Sequence, residues 1–163
     1  MQNYTTLKKN EKQFLSITGM KLDLFDILHA SYVKHWTKYI KEYTVSGQKR
    51  QRAHRKRKDG VLEETEDQLV FILHYFKSNN IQEHHAAFYG MRQSQCHAWI
   101  HLLLKLLKKT LGALGDLPER DAAKLRRTLS GIKEIFIDGT ERDIQRPLEE
   151  EVQRKHYSGK KNS

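Results

Sequence analysis

Between Gln82 and His101 the chain runs Gln-Glu-His-His-Ala-Ala-Phe-Tyr-Gly-Met-Arg-Gln-Ser-Gln-Cys-His-Ala-Trp-Ile-His. No other stretch constrains the fold as tightly. Two helices joined by a sharp turn bring their backbones nearly into contact, so the fifth position must be small. The turn at the ninth favours a left-handed backbone, which glycine adopts without steric cost. Counted from Gln82, the fifth residue is Ala86 and the ninth is Gly90. The eighth, tenth, fifteenth and eighteenth positions should be apolar, and they are Tyr89, Met91, Cys96 and Trp99. His85 departs at the fourth, which is usually apolar. The spacing is that of a helix-turn-helix.

In this register the second helix turns Gln93, Ser94, His97 and His101 outward, with Arg92 just before it. Glutamine pairs bidentately with adenine and arginine with guanine in the major groove. An ordinary antiparallel helix pair with a polar outer face fits the same residues. Six matching positions with a correctly placed glycine favour DNA reading. Cys96 is then a core residue. His97 and His101 lie four apart, which is also metal-ligand spacing. Ala98 follows His97, so the His-Glu-x-x-His pattern of zinc proteases is absent and polar surface groups are the preferred reading.

The flanking segments also read as helices. Phe25, Leu28, Tyr32, Trp36, Tyr39 and Tyr43 recur at three- and four-residue steps, predicting a helix over about Lys21–Tyr43. Ser46-Gly47 breaks it. Thr65, Asp67 and Gln68 make a capping-type start, followed by the stripe Leu69, Ile72, Leu73 and Phe76 and the stop Ser78-Asn79-Asn80. A short helix is expected from Gln82 to Tyr89. A longer one is expected from Gln93 to Leu111, stopped by Gly112. Asp116-Leu117-Pro118 resembles a cap and first-turn proline opening a further helix that ends near Ser130-Gly131. Ile132-Lys133-Glu134-Ile135-Phe136-Ile137 then reads as a strand running into Asp138-Gly139.

Charge is concentrated. Residues 48–58 hold seven basic groups and no acidic one, which is +7 of the chain's +10 and leaves +3 for the rest. That excludes a uniformly basic packaging protein and points to a basic arm on a nearly neutral body, with nucleic acid as partner. Ala53 is the only aliphatic side chain in the block, so it buries too little to offset ordering and is expected to be disordered when free. Lys49, Arg50, Arg52, Arg55, Lys56, Arg57 and Lys58 are candidates for phosphate contacts or for threading a minor groove. A solvated linker or a nuclear-import signal remains open for the same block. The single cysteine forms no intrachain disulfide and suits a reducing compartment. The stretch Trp99–Leu107 is broken by His101 and Lys105 and falls far short of the ~20 residues that span a bilayer. A soluble, cytoplasmic, nucleoid-associated bacterial protein without a membrane partner is expected.

A carboxylate at the end of a packed strand, such as Asp138, is well placed for Mg²⁺, although strand-Asp-Gly is also a common turn. Here a resemblance becomes specific. Phe136-Ile137-Asp138-Gly139-Thr140-Glu141-Arg142, Ile144-Gln145-Arg146-Pro147 and Tyr157-Ser158-Gly159-Lys160-Lys161 resemble insertion-sequence transposases of the DDE superfamily. Phe14-Leu15-Ser16-Ile17-Thr18-Gly19 resembles their N-terminal start, so the likeness covers about residues 14–161. It implies an N-terminal part that binds terminal inverted repeats. It implies an RNase H-like domain in which two Asp and one Glu hold two Mg²⁺ ions. It also implies that Asp138 is the first catalytic, metal-binding carboxylate. The second Asp and the Glu of such enzymes follow the Tyr-Ser-Gly-Lys-Lys stretch.

The expected fold class is therefore mainly α, a helical bundle with a helix-turn-helix, followed by the truncated start of an α/β RNase H-like domain. The expected divisions are an N-terminal helical segment at 1–47, a basic arm at 48–60, a DNA-binding domain at 61–115 and the incomplete nuclease start at 116–163. The expected function is that of the DNA-binding N-terminal portion of a DDE transposase, inactive alone in strand transfer. Its partners would be double-stranded element ends, the remaining transposase portion or a second copy. Alternatives are a stand-alone regulator or repressor of transposition and, without DNA, a helical protein-interaction module.

Overall fold

The computed structural model describes residues 3–56, 60–132 and 149–151, and the chain divides into two compact units, Met1–Pro118 and Glu119–Ser163. The described residues are mainly helical, with α1 Tyr4–Leu7, α2 Glu11–Thr18, α3 Leu22–Glu42, α4 Thr65–Ser78, α5 Gln82–Phe88, α6 Gln93–Leu114 and α7 Ala122–Leu129. The first six belong to the first unit.

Short polar residues set the starts of α1 and α2. Asn3 accepts from the Thr6 N–H at 2.9 Å and Asn10 from the Gln13 N–H at 3.1 Å, each satisfying a backbone donor that the first turn leaves open. In α3 the buried stripe is Phe25, Leu28, Tyr32, Trp36 and Ile40. The expected stripe holds through Trp36. Beyond it Ile40 turns inward, while Tyr39 and Tyr43 stack on each other at 5.3 Å nearer the surface.

α4 is the central helix. Gln68, Leu69, Val70, Phe71 and Ile72 are all buried. Five consecutive residues exceed one helical turn, so its middle is enclosed on every side. It packs against α1, α2, α3 and α6. Phe76, expected in its stripe, is instead exposed. The start also differs from expectation, because Glu64 occupies the cap position and makes no side-chain cap bond. Tertiary contacts take the polar residues there. Thr65 Oγ1 lies 2.8 Å from His29 Nε2, Asp67 accepts the Tyr4 N–H at 2.7 Å, and Gln68 is buried.

α3 and α6 pack along each other, with Trp36 stacked on Trp99 at 5.9 Å. The basic stretch expected to separate domains therefore lies within one compact unit. α6 continues past Gly112 and ends at Gly115, which takes the left-handed cap conformation. Gly112 stays helical, and a Cβ there would sit 3.3 Å from Leu117 Cδ1, so the missing side chain makes room for the chain folding back.

In the second unit α7 starts at Asp121, whose carboxylate accepts from the Ala123 and Lys124 N–H groups at 2.9 Å each. Asp116 therefore does not cap it. A side-chain cap bonds the open amides two and three residues ahead, so the nearer Asp121 takes the role. The expected strand lies outside the described residues apart from Ile132, and so does Asp138.

Candidate nucleic-acid interface

Ala86 is buried where α5 meets α6, and its carbonyl accepts the Met91 N–H at 3.0 Å across the turn. Gly90 has φ 64°, the left-handed conformation expected of the ninth position. Tyr89 and Cys96 are buried, and Met91 and Trp99 are half-buried against the core. Burial pushes the Cys96 thiol up, as suits a core residue.

His85 is where the sequence departs from the apolar rule, and the structure explains how it fits. The ring is fully buried, 4.5 Å from Phe71 and 4.9 Å from Tyr89 between centroids. Nε2 lies 3.1 Å from the Phe71 carbonyl, so it carries the proton and donates. Nδ1 has no partner. Burial first, and the neighbouring His74 second, lower its pKa to about 4 against the pull of the Phe71 bond. A neutral imidazole thus takes the place of an apolar side chain.

The α6 start offers a polar face. Arg92, Gln93, Ser94, His97 and His101 are all exposed. Gln95 Oε1 accepts the Arg92 N–H at 3.2 Å, one half of a capping box. A guanidinium has no acceptor to supply the other half, so the Arg92 side chain is not used as a cap. His97 and His101 rings lie 4.2 Å apart. Among the described residues no group of three or more His, Cys, Asp or Glu converges to hold a metal.

The basic stretch is tied back to the body at both ends. A turn at Thr44–Gln48 reverses the chain, with the Thr44 N–H donating to the Gln48 carbonyl at 2.8 Å. The Arg50 N–H then donates to the Glu42 carbonyl at 2.7 Å, and its Nε donates to the Tyr43 carbonyl at 2.9 Å. A cation is favoured there by the helix dipole of α3. At the other end Lys56 Nζ donates to both Glu64 carboxylate oxygens, at 2.9 and 2.8 Å. The described residues 48–56 thus meet the body through backbone carbonyls and one exposed carboxylate, with little apolar burial. Arg57 and Lys58 lie outside the described residues.

This anchoring places Arg50, Arg52 and Arg55 along one open cleft of about 1290 Å³ that Ser94, Gln95, Ala98 and Trp99 also line. Part of the basic stretch and the start of α6 therefore share a surface. Lys49 is exposed, pairs with Tyr43 in an isolated bridge and does not line that cleft. Lys56 faces Glu64. Sequence reasoning missed one residue here. Gln82 Oε1 lies 3.1 Å from both Gln93 Nε2 and His97 Nδ1. The only signal was its place as first residue of the motif, eleven positions before Gln93.

Two helices joined at a tight turn, with a polar outer face on the second, make up a helix-turn-helix. Residues 61–113 match the family model described as helix-turn-helix of DDE superfamily endonuclease. Over these residues the chain is similar to the helix-turn-helix of such endonucleases. No curated protein and no solved structure matches. Among the described residues no helix is long and apolar enough to cross a membrane.

Proposed function

We propose that the first unit binds the terminal inverted repeats of an insertion sequence on behalf of a DDE transposase. The observation that carries this is the shared cleft. Arg50, Arg52 and Arg55 approach one side of the α6 start, whose Arg92, Gln93, Ser94, His97 and His101 face outward. Arginines on phosphates set position and orientation, and the polar helix face reads base edges. Lys49 adds a further phosphate contact beside the cleft. Lys56 does so only by exchanging Glu64 for phosphate, and Arg57 and Lys58 extend the same basic stretch.

Asp138 and Mg²⁺ belong to this proposal through the resemblance alone. Asp138 would be one carboxylate of a metal site that supplies phosphoryl-transfer chemistry to the whole enzyme. Partners beyond duplex DNA, namely the other transposase portions or a second copy, rest on the same resemblance. The reading residues and the cleft all fall within Met1–Pro118 and need no carboxylate site, which equally suits a free-standing regulator.

Selection from a random duplex library separates the two. The transposase reading expects the selected sequence at the ends of a mobile element. Selection of a promoter sequence absent from any element end would favour the regulator. Failure to enrich any duplex would remove both.

A further inference from the structure

Gln82 is the first residue of α5, outside the face offered to DNA, yet its side-chain oxygen meets two residues of that face. The amide oxygen only accepts. Gln93 Nε2 must therefore donate to it, and His97 must carry its proton on Nδ1 to do the same. The consequences for both residues follow from their donor and acceptor inventories. Gln93 keeps one N–H and its own Oε1, the pair that matches adenine N7 and N6. In the neutral ring with its proton on Nδ1, Nε2 of His97 is left as a lone-pair acceptor, which suits a base presenting an exocyclic amino group, adenine or cytosine, and not the O6 and N7 acceptors of guanine. The His101 ring lies 4.2 Å from that of His97.

We propose that Gln82 is a specificity-positioning residue. It fixes the rotamer of Gln93 and the tautomer of His97, and so biases α6 toward bases that carry amino groups in the major groove. The proposal rests on the DNA-reading assignment of α6 and deepens it by naming the class of base recognised.

The full chain tests it in two measurements. In the free protein, long-range ¹H–¹⁵N correlation spectra report which nitrogen of each histidine is protonated. His97 is expected as the Nδ1–H form in the wild type and is expected to lose that preference in Gln82→Leu. An Nε2–H form in the wild type overturns the proposal whether or not DNA is bound. In duplex selection, the wild type should enrich adenine or cytosine at the position facing His97. Gln82→Leu should relax the preference by roughly tenfold while keeping the salt dependence of binding. An unchanged selected sequence with Gln82→Leu overturns the proposal and leaves the DNA-reading assignment standing. Failure of the wild type to enrich any duplex overturns that assignment and the proposal together. Circular dichroism and thermal unfolding confirm that the variant is folded in either case.

Discussion

At His85 a buried ring makes stability respond to acid. Its pKa is ordinarily near 6.5 and is lowered to about 4 in the fold, and that of His74 beside it is also lowered. Above about pH 6.5 the ring is neutral in both folded and unfolded chains and costs nothing. As pH falls from there to about 4, the unfolded chain takes a proton that the folded one refuses, so stability falls, by at most about 3 kcal/mol. Thermal unfolding at pH 7.5 and 5 should show this loss, and His85→Leu should flatten the dependence. A wild-type melting temperature equal at both pH values would contradict the burial argument. A second buried group carries a different load. Gln68 accepts from the Tyr32 hydroxyl at 2.7 Å and donates to the Leu62 carbonyl at 2.9 Å. Leu62 itself has φ 61°, a left-handed backbone unusual for leucine, and is held there with its side chain buried. Gln68→Leu should cost about 2–3 kcal/mol in urea unfolding, because two buried polar groups lose their partner. None of this was legible in the sequence. His85 read as a flaw in the motif and Gln68 as part of a cap, since only the tertiary neighbours show that each is enclosed.

The helices themselves were largely legible. Apolar spacing gave α3 and the middle of α4, and the Ala86–Gly90 pair fixed the register of α5 and α6. Boundaries were less so where two glycines or two aspartates competed. Gly112 and Gly115 are alike in sequence, but only Gly115 reaches a left-handed φ, of 82°. Asp116 and Asp121 are both plausible caps, and the one whose carboxylate meets open amides takes the role. The turn in the motif gives its own test. A Cβ added at Gly90 would meet nothing within 4 Å, so Gly90→Ala pays only for the left-handed backbone, about 1 kcal/mol. Ala86 is different, because it is buried between helices. Ala86→Val should cost about 1–3 kcal/mol by wedging α5 from α6. It should also disturb DNA reading more than Gly90→Ala does, measured as the loss of selected-sequence affinity after correction for the folded fraction. Equal effects of the two changes on affinity would argue that the α5–α6 approach does not position the reading face.

Within the first unit, the charge pattern and the helix-turn-helix converge on one surface. The sequence placed +7 in residues 48–58, but it did not show that Arg50 and Lys56 pin the described part of that stretch beside α6, because Arg50 bonds to backbone carbonyls and Lys56 to one carboxylate across irregular turns that no periodicity signals. If Arg52 and Arg55 contact phosphates, replacing each with alanine should weaken binding to all duplexes alike and lower the salt slope by about 1. Replacing Gln93 or His97 should instead relax sequence preference with the slope unchanged. The most direct test of the account is a fluorescence-anisotropy titration of the full chain, comparing the selected duplex with a scrambled one across roughly 50–200 mM salt. The account predicts that affinity for both falls steeply as salt rises, and that the selected duplex binds tighter by at least about a thousandfold. Equal affinity for the two duplexes, or no duplex binding at any salt concentration, would contradict it.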